Sequence, residues 1–223
     1  MYVPASFAES DRAVLMDFIA AHPLGTLVTG SPAHGLYATH LPLHLDPSRG
    51  PHGVLQGHMA RANPHHRKAV DTTDALVVFH GPDAYITPAW YPAKSRHGKV
   101  VPTWNYIAVH VQGTVRFIED RNALLRHLHT LTDVHEAAQA HPWAVDDAPA
   151  SYIEQQLAAI VGVEIEIAHI EGKWKLSQNR ADDDIDGVVH GLRQSPVISH
   201  GVMASHVAAR RPNRTATQTP DPA

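Results

Sequence analysis

The sequence predicts an α+β fold in which strands that follow one another along the chain form an antiparallel barrel. Short runs of apolar and β-branched residues succeed one another between residues 26 and 118, with turns rich in glycine and proline between them. Long stretches of helical periodicity occur only at the start of the chain and after residue 119. Because long helices do not alternate with the strands, a parallel βαβ array is not expected.

The first element is a helix, because Ser10 and Asp11 precede apolar residues spaced along one helical face and Pro23 ends the pattern. Strands are then expected at the runs 26–29, 36–45, 54–59, 75–80, 85–87 and 104–118. Pro42 places part of the second run at an edge or a bulge. Gly113 indicates a bulge in the last run, which forms one long strand or two.

Asp120 is a capping residue, and the elements expected after it are a helix over 121–132, a helical segment over 152–159, a half-buried strand over 163–176 and an acidic helix over 182–192. From Arg210 onward the sequence has no core-forming residues. Residues 1–209 are therefore expected to form a single domain, and residues 210–223 a disordered tail.

The composition excludes several classes of site. None of the 223 residues is cysteine, which excludes disulfides, cysteine-ligated zinc and cysteine nucleophiles. The formal net charge is −4, so the chain lacks the excess of basic residues that is typical of a DNA-binding domain. The first residues show no signal-peptide pattern, and no apolar run approaches the roughly 20 residues of a membrane span. A cytoplasmic protein is therefore expected.

The segment GHMARANP (57–64) has the features of a phosphate site. A strand ends here, Arg61 follows, and a helix begins with Asn63 as N-cap and Pro64 at its first position. Unpaired N–H groups at the helix start and the planar Arg61 guanidinium suit a phosphate, and His58 adds a further donor. The same spacing also fits an ordinary capped helix with a surface arginine, and spacing alone favours that interpretation.

Three other segments carry candidate binding residues. Thr39 and His40 lie on a neighbouring strand and could face a ligand laid along the barrel. The aromatic and proline-rich segments 86–91 and 101–106 would form flat walls, suited to a conjugated ring, a core or a subunit interface. Residues 175–180, KLSQNR, place amides directly after a strand. These amides suit either the polar edge of a heteroaromatic ring or an ordinary polar loop.

Several familiar motifs are missing. The sequence contains no GxGxxG, P-loop, HExxH or GxSxG motif. The histidine pairs 40/44 and 65/66 lack supporting carboxylates, so no metal site is expected. The one candidate helix-turn-helix pair, 121–132 followed by 135–140, lacks a basic recognition helix.

The chain resembles the PaiB-type FMN-binding transcriptional regulators in six segments: MYVP at the start, ATHLPL (38–43), GHMARANP (57–64), GPDAYITPAWY (81–91), VPTWNY (101–106) and KLSQNR (175–180). The segments occur in the family's order and extend to about residue 192. The resemblance implies an FMN-binding split β-barrel with peripheral helices. It also implies a homodimer with FMN at the subunit interface.

The resemblance further implies roles for individual residues. Arg61 and Asn63, with His58 nearby, would hold the FMN phosphate, and the ring would lie against Thr39 and His40. The second subunit would contribute the remaining cofactor-binding candidates: Trp104, Asn105, Ser177, Gln178 and Asn179.

The function that the resemblance implies is repression of transcription, with DNA as a partner. One alternative is a flavin-dependent oxidoreductase or flavin reductase related to the pyridoxamine-phosphate oxidases. Flavin carries the hydride chemistry itself, so such an enzyme needs no recognisable acid–base pair. A third alternative is a haem-binding protein, because related split barrels bind haem and the chain has 19 histidines.

Overall fold

An antiparallel sheet of eight strands carries the fold in the computed structural model, which describes residues 1–69 and 74–211. The strands are β1 (Ala8–Glu9), β2 (Leu24–Ser31), β3 (Gly35–Pro42), β4 (His44–Asp46), β5 (Val54–Ala60), β6 (Asp74–Ile86), β7 (Thr103–Ile118) and β8 (Ile160–Lys175). The helices are α1 (Arg12–Ala21), α2 (His65–Lys68), α3 (Ala93–His97), α4 (Arg121–Glu136), α5 (Ala150–Ala158), α6 (Asp182–Arg193) and α7 (Ile198–Ala209).

The strand order is β3-β2-β6-β7-β8-β5-β4, and β1 pairs with β8. The predicted α+β class with an antiparallel sheet is therefore confirmed, although the strand path does not close on itself. The chain divides into two compact units. The terminal unit comprises Met1–Leu15, His80–Val109 and Glu171–Ala223, and the central unit comprises Met16–Phe79 and His110–Ile170. The single domain expected over residues 1–209 stays a prediction.

The central unit is built on strands whose residues alternate between core and surface. In β2, Gly25, Leu27, Thr29 and Ser31 are buried while the residues between them are more exposed. This alternation follows from the period of two in a strand, which turns successive side chains to opposite faces. β2 pairs antiparallel with β3 along its whole length. The break between β3 and β4 comes directly after Pro42, and β3 stands at one end of the strand order, which agrees with the edge position expected for Pro42 as one of two alternatives.

One predicted interruption of a strand is wrong. Residues 75–80 and 85–87 belong to one strand, β6, which continues through Gly81 and Pro82. Gly113 lies inside the unbroken β7. A Cβ atom on Gly113 would overlap the carbonyl oxygen of Glu166. This glycine therefore allows the backbone of β8 to approach closely, and the bulge expected at Gly113 stays a prediction.

The candidate helix-turn-helix pair is also wrong. α4 runs without interruption from Arg121 to Glu136, capped at its start by Asp120, whose side chain accepts a hydrogen bond from the N–H of Ala123. No helix-breaking residue separates the two expected helices, because Asp133 and Val134 continue the helical ladder. The four predicted residues that follow Glu136 lie outside the helix.

The terminal unit contains two packed helices, α6 and α7. α6 was predicted as an acidic helix, whereas α7 was not predicted. Buried residues of the two helices include Ile185, Val188, Leu192, Met203 and Val207.

α6 also receives the indole of Trp90. A Cβ on Gly187 would overlap the Trp90 carbonyl oxygen, and one on Gly191 would overlap the Trp90 ring. The two glycines lie one helical turn apart and form a groove for this aromatic residue.

Part of the predicted C-terminal tail, residues 212–223, lies outside the described residues. Arg210 forms an ion pair with Glu9, and Arg211 forms one with Asp186. Among residues 1–69 and 74–211, no helix has the length and apolar character needed to cross a membrane.

Candidate functional site

A small cavity in the terminal unit has a cationic lining. Its volume is about 120 Å³, and we call it the Lys175 cavity. The lining residues are Phe7, Thr103, Asn105, Lys175, Ser177, Asn179 and Arg180. Two cations, two hydroxyls and two amides thus surround the space, and none of these described lining residues is acidic. Such a donor set is suited to an anion with several oxygen atoms.

The ammonium group of Lys175 is held at the end of β8. Its Nζ donates hydrogen bonds to the Thr103 hydroxyl and to the Trp104 carbonyl oxygen. Burial lowers the pKa of Lys175, and the charges of Lys173 and Arg180 lower it further. The two neighbouring cations therefore disfavour the charged form of Lys175. A bound anion would offset this repulsion.

The loop after β8 is fixed by hydrogen bonds. Ser177 has a left-handed backbone conformation with φ of 65°, which is uncommon for a residue with a side chain. Its hydroxyl is 3.0 Å from the Asn105 amide nitrogen, and both residues are buried. The Gln178 amide accepts a bond from the Leu176 N–H at 2.7 Å and donates one to the Trp174 carbonyl. Hydrogen bonds within the protein therefore define the conformation of this loop.

Three of the five candidates predicted in this unit, Asn105, Ser177 and Asn179, line the Lys175 cavity. Gln178 does not line it, because its amide ties the loop to the end of β8. The Trp104 side chain is 49% exposed, and its indole N–H donates to the Asp83 carboxylate at 2.8 Å. Sequence reasoning missed Lys175 and Arg180 as binding residues, although both stand in the KLSQNR segment.

A second polar cluster lies in the central unit around His65, which is completely buried. The ring nitrogens of His65 are hydrogen-bonded to the Thr29 hydroxyl at 2.9 Å and to the Thr39 hydroxyl at 2.8 Å. The Asn63 amide donates to the Thr39 hydroxyl at 3.1 Å and accepts the His65 backbone N–H at 3.0 Å. We call Thr29, Thr39, Asn63 and His65 the His65 cluster. α2 begins at His65 with Pro64 as its N-cap, so the predicted start with Asn63 as N-cap is one residue too early, although the Asn63 side chain accepts an N–H of the first turn.

Thr39 and His40 do not face the same side of β3. Thr39 bonds to His65 on one face of the strand, whereas His40 is exposed and its Nδ1 is 2.9 Å from the Thr26 hydroxyl. Adjacent residues of a strand point to opposite faces, so a ligand on one face meets only one of the two side chains.

Arg61 is bound to the protein itself. Its guanidinium donates to the carbonyl oxygens of Ala158 at 3.0 Å and Ile160 at 3.1 Å, and it pairs with Glu119 at 3.1 Å. These bonds connect the end of β5 to the start of β8. Three of the five N–H groups that an arginine carries are therefore already used. Its predicted role as a phosphate ligand stays a prediction.

His58 lies against α4 instead of beside Arg61. Its Nδ1 is 3.1 Å from Nε2 of His127, and the two rings meet edge to face. Burial lowers the pKa of His58. Burial, followed by the neighbouring His58 and His44, lowers the pKa of His127 to about 4. Both rings are therefore neutral at pH 7.

The low pKa of His127 predicts a loss of stability in mild acid. In the unfolded chain this ring has an ordinary pKa near 6.5, so below that pH the unfolded state binds a proton that the folded state refuses. Above pH 6.5 this difference in proton binding leaves the free energy of unfolding unchanged. Between pH 6.5 and pH 4 it lowers the free energy of unfolding by about 3 kcal/mol. Urea unfolding at several pH values should show a shallower acid loss for His127→Gln than for the wild type. An equally steep loss in His127→Gln would contradict this assignment, and exposed His52→Gln is the control.

Residues 1–169 match the sequence profile of the family described as "Putative FMN-binding domain". The chain belongs to this family. The match includes the whole His65 cluster and ends before the loop of the Lys175 cavity. The profile match therefore identifies the family, whereas the evidence for the Lys175 cavity comes from the structure alone.

Two relatives match most of the chain. The protease synthase and sporulation protein PAI 2 of Bacillus subtilis (strain 168) is 34% identical over 193 residues, which cover 86% of this chain and 89% of that protein. An uncharacterized protein of Emericella nidulans is 36% identical over 226 residues, covering 86% of this chain and 90% of that protein.

The fold is similar to that of the FAD and haem binding protein from Mycobacterium smegmatis. The TM-score is 0.55 at 20% identity, covering 80% of this chain and 78% of that chain. At this identity the similarity shows the fold alone. It agrees with the flavin-binding split-barrel fold that the sequence predicted.

Proposed function

We propose that this chain binds FMN through the Lys175 cavity and acts as a homodimer in the control of transcription. The single observation that carries the proposal is the Lys175 cavity, where cations, hydroxyls and amides converge without an acidic lining residue among those described. Membership of the FMN-binding family supports flavin as the ligand.

The size of the cavity indicates which part of FMN it holds. Pockets that enclose a whole ligand of drug size measure roughly 300–1,000 Å³. A space of about 120 Å³ accommodates one end of the molecule. The phosphate is the end that matches two cations and several hydrogen-bond donors. The ring system then extends beyond the cavity.

An exposed aromatic surface on the terminal unit supports the homodimer. Trp104 and Tyr85 meet edge to face with ring centroids 5.9 Å apart, and the side chains are 49% and 45% exposed. Val101, which precedes Trp104 by three residues, is also exposed. Aromatic residues are enriched in the cores of protein interfaces. A second copy of this chain would bury them.

The regulatory part of the proposal is supported by the resemblance to the PaiB-type regulators and by the similarity to PAI 2. In this proposal, the binding, loss or redox state of FMN changes the dimer and thereby its affinity for DNA.

Visible absorption spectroscopy of the purified protein tests the cofactor. We expect flavin bands that are released on denaturation, and saturable quenching of FMN fluorescence when FMN is added to stripped protein. Riboflavin is the matched control because it lacks the phosphate, and we expect it to bind at least about 10-fold more weakly. Equal binding of riboflavin would overturn the assignment of the phosphate to a cationic site. Absence of any flavin binding would overturn the whole proposal.

Gel-shift assays with DNA from upstream of the protein's own coding sequence test the regulatory role. We expect a shifted complex at moderate salt whose affinity differs between FMN-loaded and FMN-free protein. If no complex forms while the FMN-loaded protein steadily oxidises a reduced nicotinamide, the regulatory role is wrong and the chain is a flavin reductase. Affinity unchanged by FMN would overturn flavin control of DNA binding.

A further inference from the structure

A larger cavity lies in the central unit, against α4. Its volume is about 440 Å³, within the range of small-molecule sites. We call it the α4 cavity. Its lining residues come from α4, β5, β7, β8 and the loop before β5: Arg49, Gln56, Ile118, Ala123, Arg126, His127, Thr130 and Glu164. None of them was a candidate in the sequence analysis.

The charges around the α4 cavity do not balance. Arg49 forms two hydrogen bonds with the Glu164 carboxylate, at 2.6 and 3.2 Å, and the Gln56 amide adds a third at 2.8 Å. These bonds lower the pKa of Glu164, with that from Arg49 contributing most. Arg126, in contrast, forms no ion pair with any residue in 1–69 or 74–211. One positive charge therefore remains uncompensated at this cavity.

His127 supplies an unsatisfied polar atom in the same lining. The residue is 8% exposed, and its Nδ1 has no hydrogen-bond partner among the described residues. Its Nε2 is already bonded to His58. Buried ring nitrogens in folded proteins nearly always have a partner, so this one is a candidate for bonding to a ligand or to water.

The remaining lining gives the cavity an apolar side. Ile118 and Ala123 contribute hydrocarbon surface. A smaller space, lined by many of the same residues, continues toward Leu124 and Val163. A ligand with an apolar body and one acidic group matches this distribution of surfaces better than an inorganic ion does.

We propose that the α4 cavity binds a small organic anion, with its acidic group on Arg126 and its apolar body against Ile118 and Ala123. His127 bonds to the ligand as a neutral ring. The proposal concerns a second binding site in this chain, and it holds whether or not the Lys175 cavity binds FMN.

Benzoate is a suitable probe because it combines one carboxylate with a compact ring. We expect NMR spectra of the full-length protein, as purified, to show saturable benzoate shifts at the His127 ring and at Thr130. Benzamide has the same shape without the charge, and inorganic phosphate has the charge without the ring. Both should bind at least about 10-fold more weakly, because a charge-assisted hydrogen bond or the burial of a ring is worth at least about 1.4 kcal/mol.

Two variants identify the residues involved. Arg126→Gln should weaken benzoate binding about 10-fold, and Ala123→Leu should weaken it by filling the space. Arg126 is exposed, so its replacement leaves the fold intact, and Arg67→Gln serves as a matched exposed control. Three results would overturn the proposal: benzoate shifts that do not saturate, shifts that are the same in Arg126→Gln as in the wild type, or binding of benzamide or phosphate as strong as that of benzoate.

Discussion

FMN binding is expected to weaken about 10- to 100-fold when Arg180 is replaced by alanine. The guanidinium of Arg180 lines the Lys175 cavity and lies 5.1 Å from the centre of the Tyr91 ring, which orients it before a ligand binds. A charge-assisted hydrogen bond contributes about 1.5–3 kcal/mol, which corresponds to this range of affinity. Titration of FMN fluorescence measures the change directly.

Further variants distinguish the Lys175 cavity from Arg61 as the site of the FMN phosphate. Lys175→Met keeps the length of the side chain without its charge, and it should weaken binding to a similar degree. Lys94→Ala removes an exposed cation of the same unit that does not line the cavity, and it should have no effect on FMN binding.

Arg61→Ala tests the phosphate site that was predicted from the sequence. Loss of FMN in Arg61→Ala with full binding in Arg180→Ala would move the phosphate to the GHMARANP segment.

The largest expected effect on stability is at Gly187. Replacing it with alanine forces a Cβ into the carbonyl oxygen of Trp90. The atoms that would have to move are the backbone of Trp90 and the helix α6, which carries Gly187. Neither side can yield by a simple rotation. We therefore expect a loss of about 3 kcal/mol in the free energy of unfolding, the upper end of the usual cost of overpacking. Urea or thermal unfolding measures it.

Gly201 provides the matched control for Gly187. It also lies inside a helix, α7, but a Cβ there has no heavy atom within 4 Å. Gly201→Ala should raise stability by up to about 1 kcal/mol, because alanine is the better helix former. If Gly187→Ala were as stable as wild type, the close packing of Trp90 on α6 would be wrong.

The sequence predicted most strands because the physical rule behind them is local. Alternating burial in β2 follows directly from alternating residue types, and Pro42 ends β3 because it cannot donate to the ladder. The interruption expected near Gly81 and Pro82 is wrong for a different reason. Turn residues indicate where a chain can bend, whereas long-range pairing decides whether it does. β6 pairs with β2 over Ala75–Val78 and with β7 on its other side.

Sequence reasoning found the segments of the candidate site better than it found the side chains. KLSQNR was selected for its amides, yet Gln178 serves the backbone, and the cations at either end of the segment line the cavity. Sequence reasoning considered His65 only as a metal ligand and rejected it because no carboxylates lie nearby. Its partners in the structure are two hydroxyls, one on β2 and one on β3. Such choices depend on contacts between residues distant in sequence, which no local pattern specifies.

The family match ends at residue 169, but the Lys175 cavity takes four of its lining residues from positions after that point: Lys175, Ser177, Asn179 and Arg180. A protein shortened to the matched segment would keep the His65 cluster and lack the cationic end of this site. It would also lose α6 and α7, leaving Trp90 without the glycine groove that receives it. Recombinant versions cut at that boundary should therefore be poor flavin binders, whereas fusions placed after Arg211 preserve every contact described here.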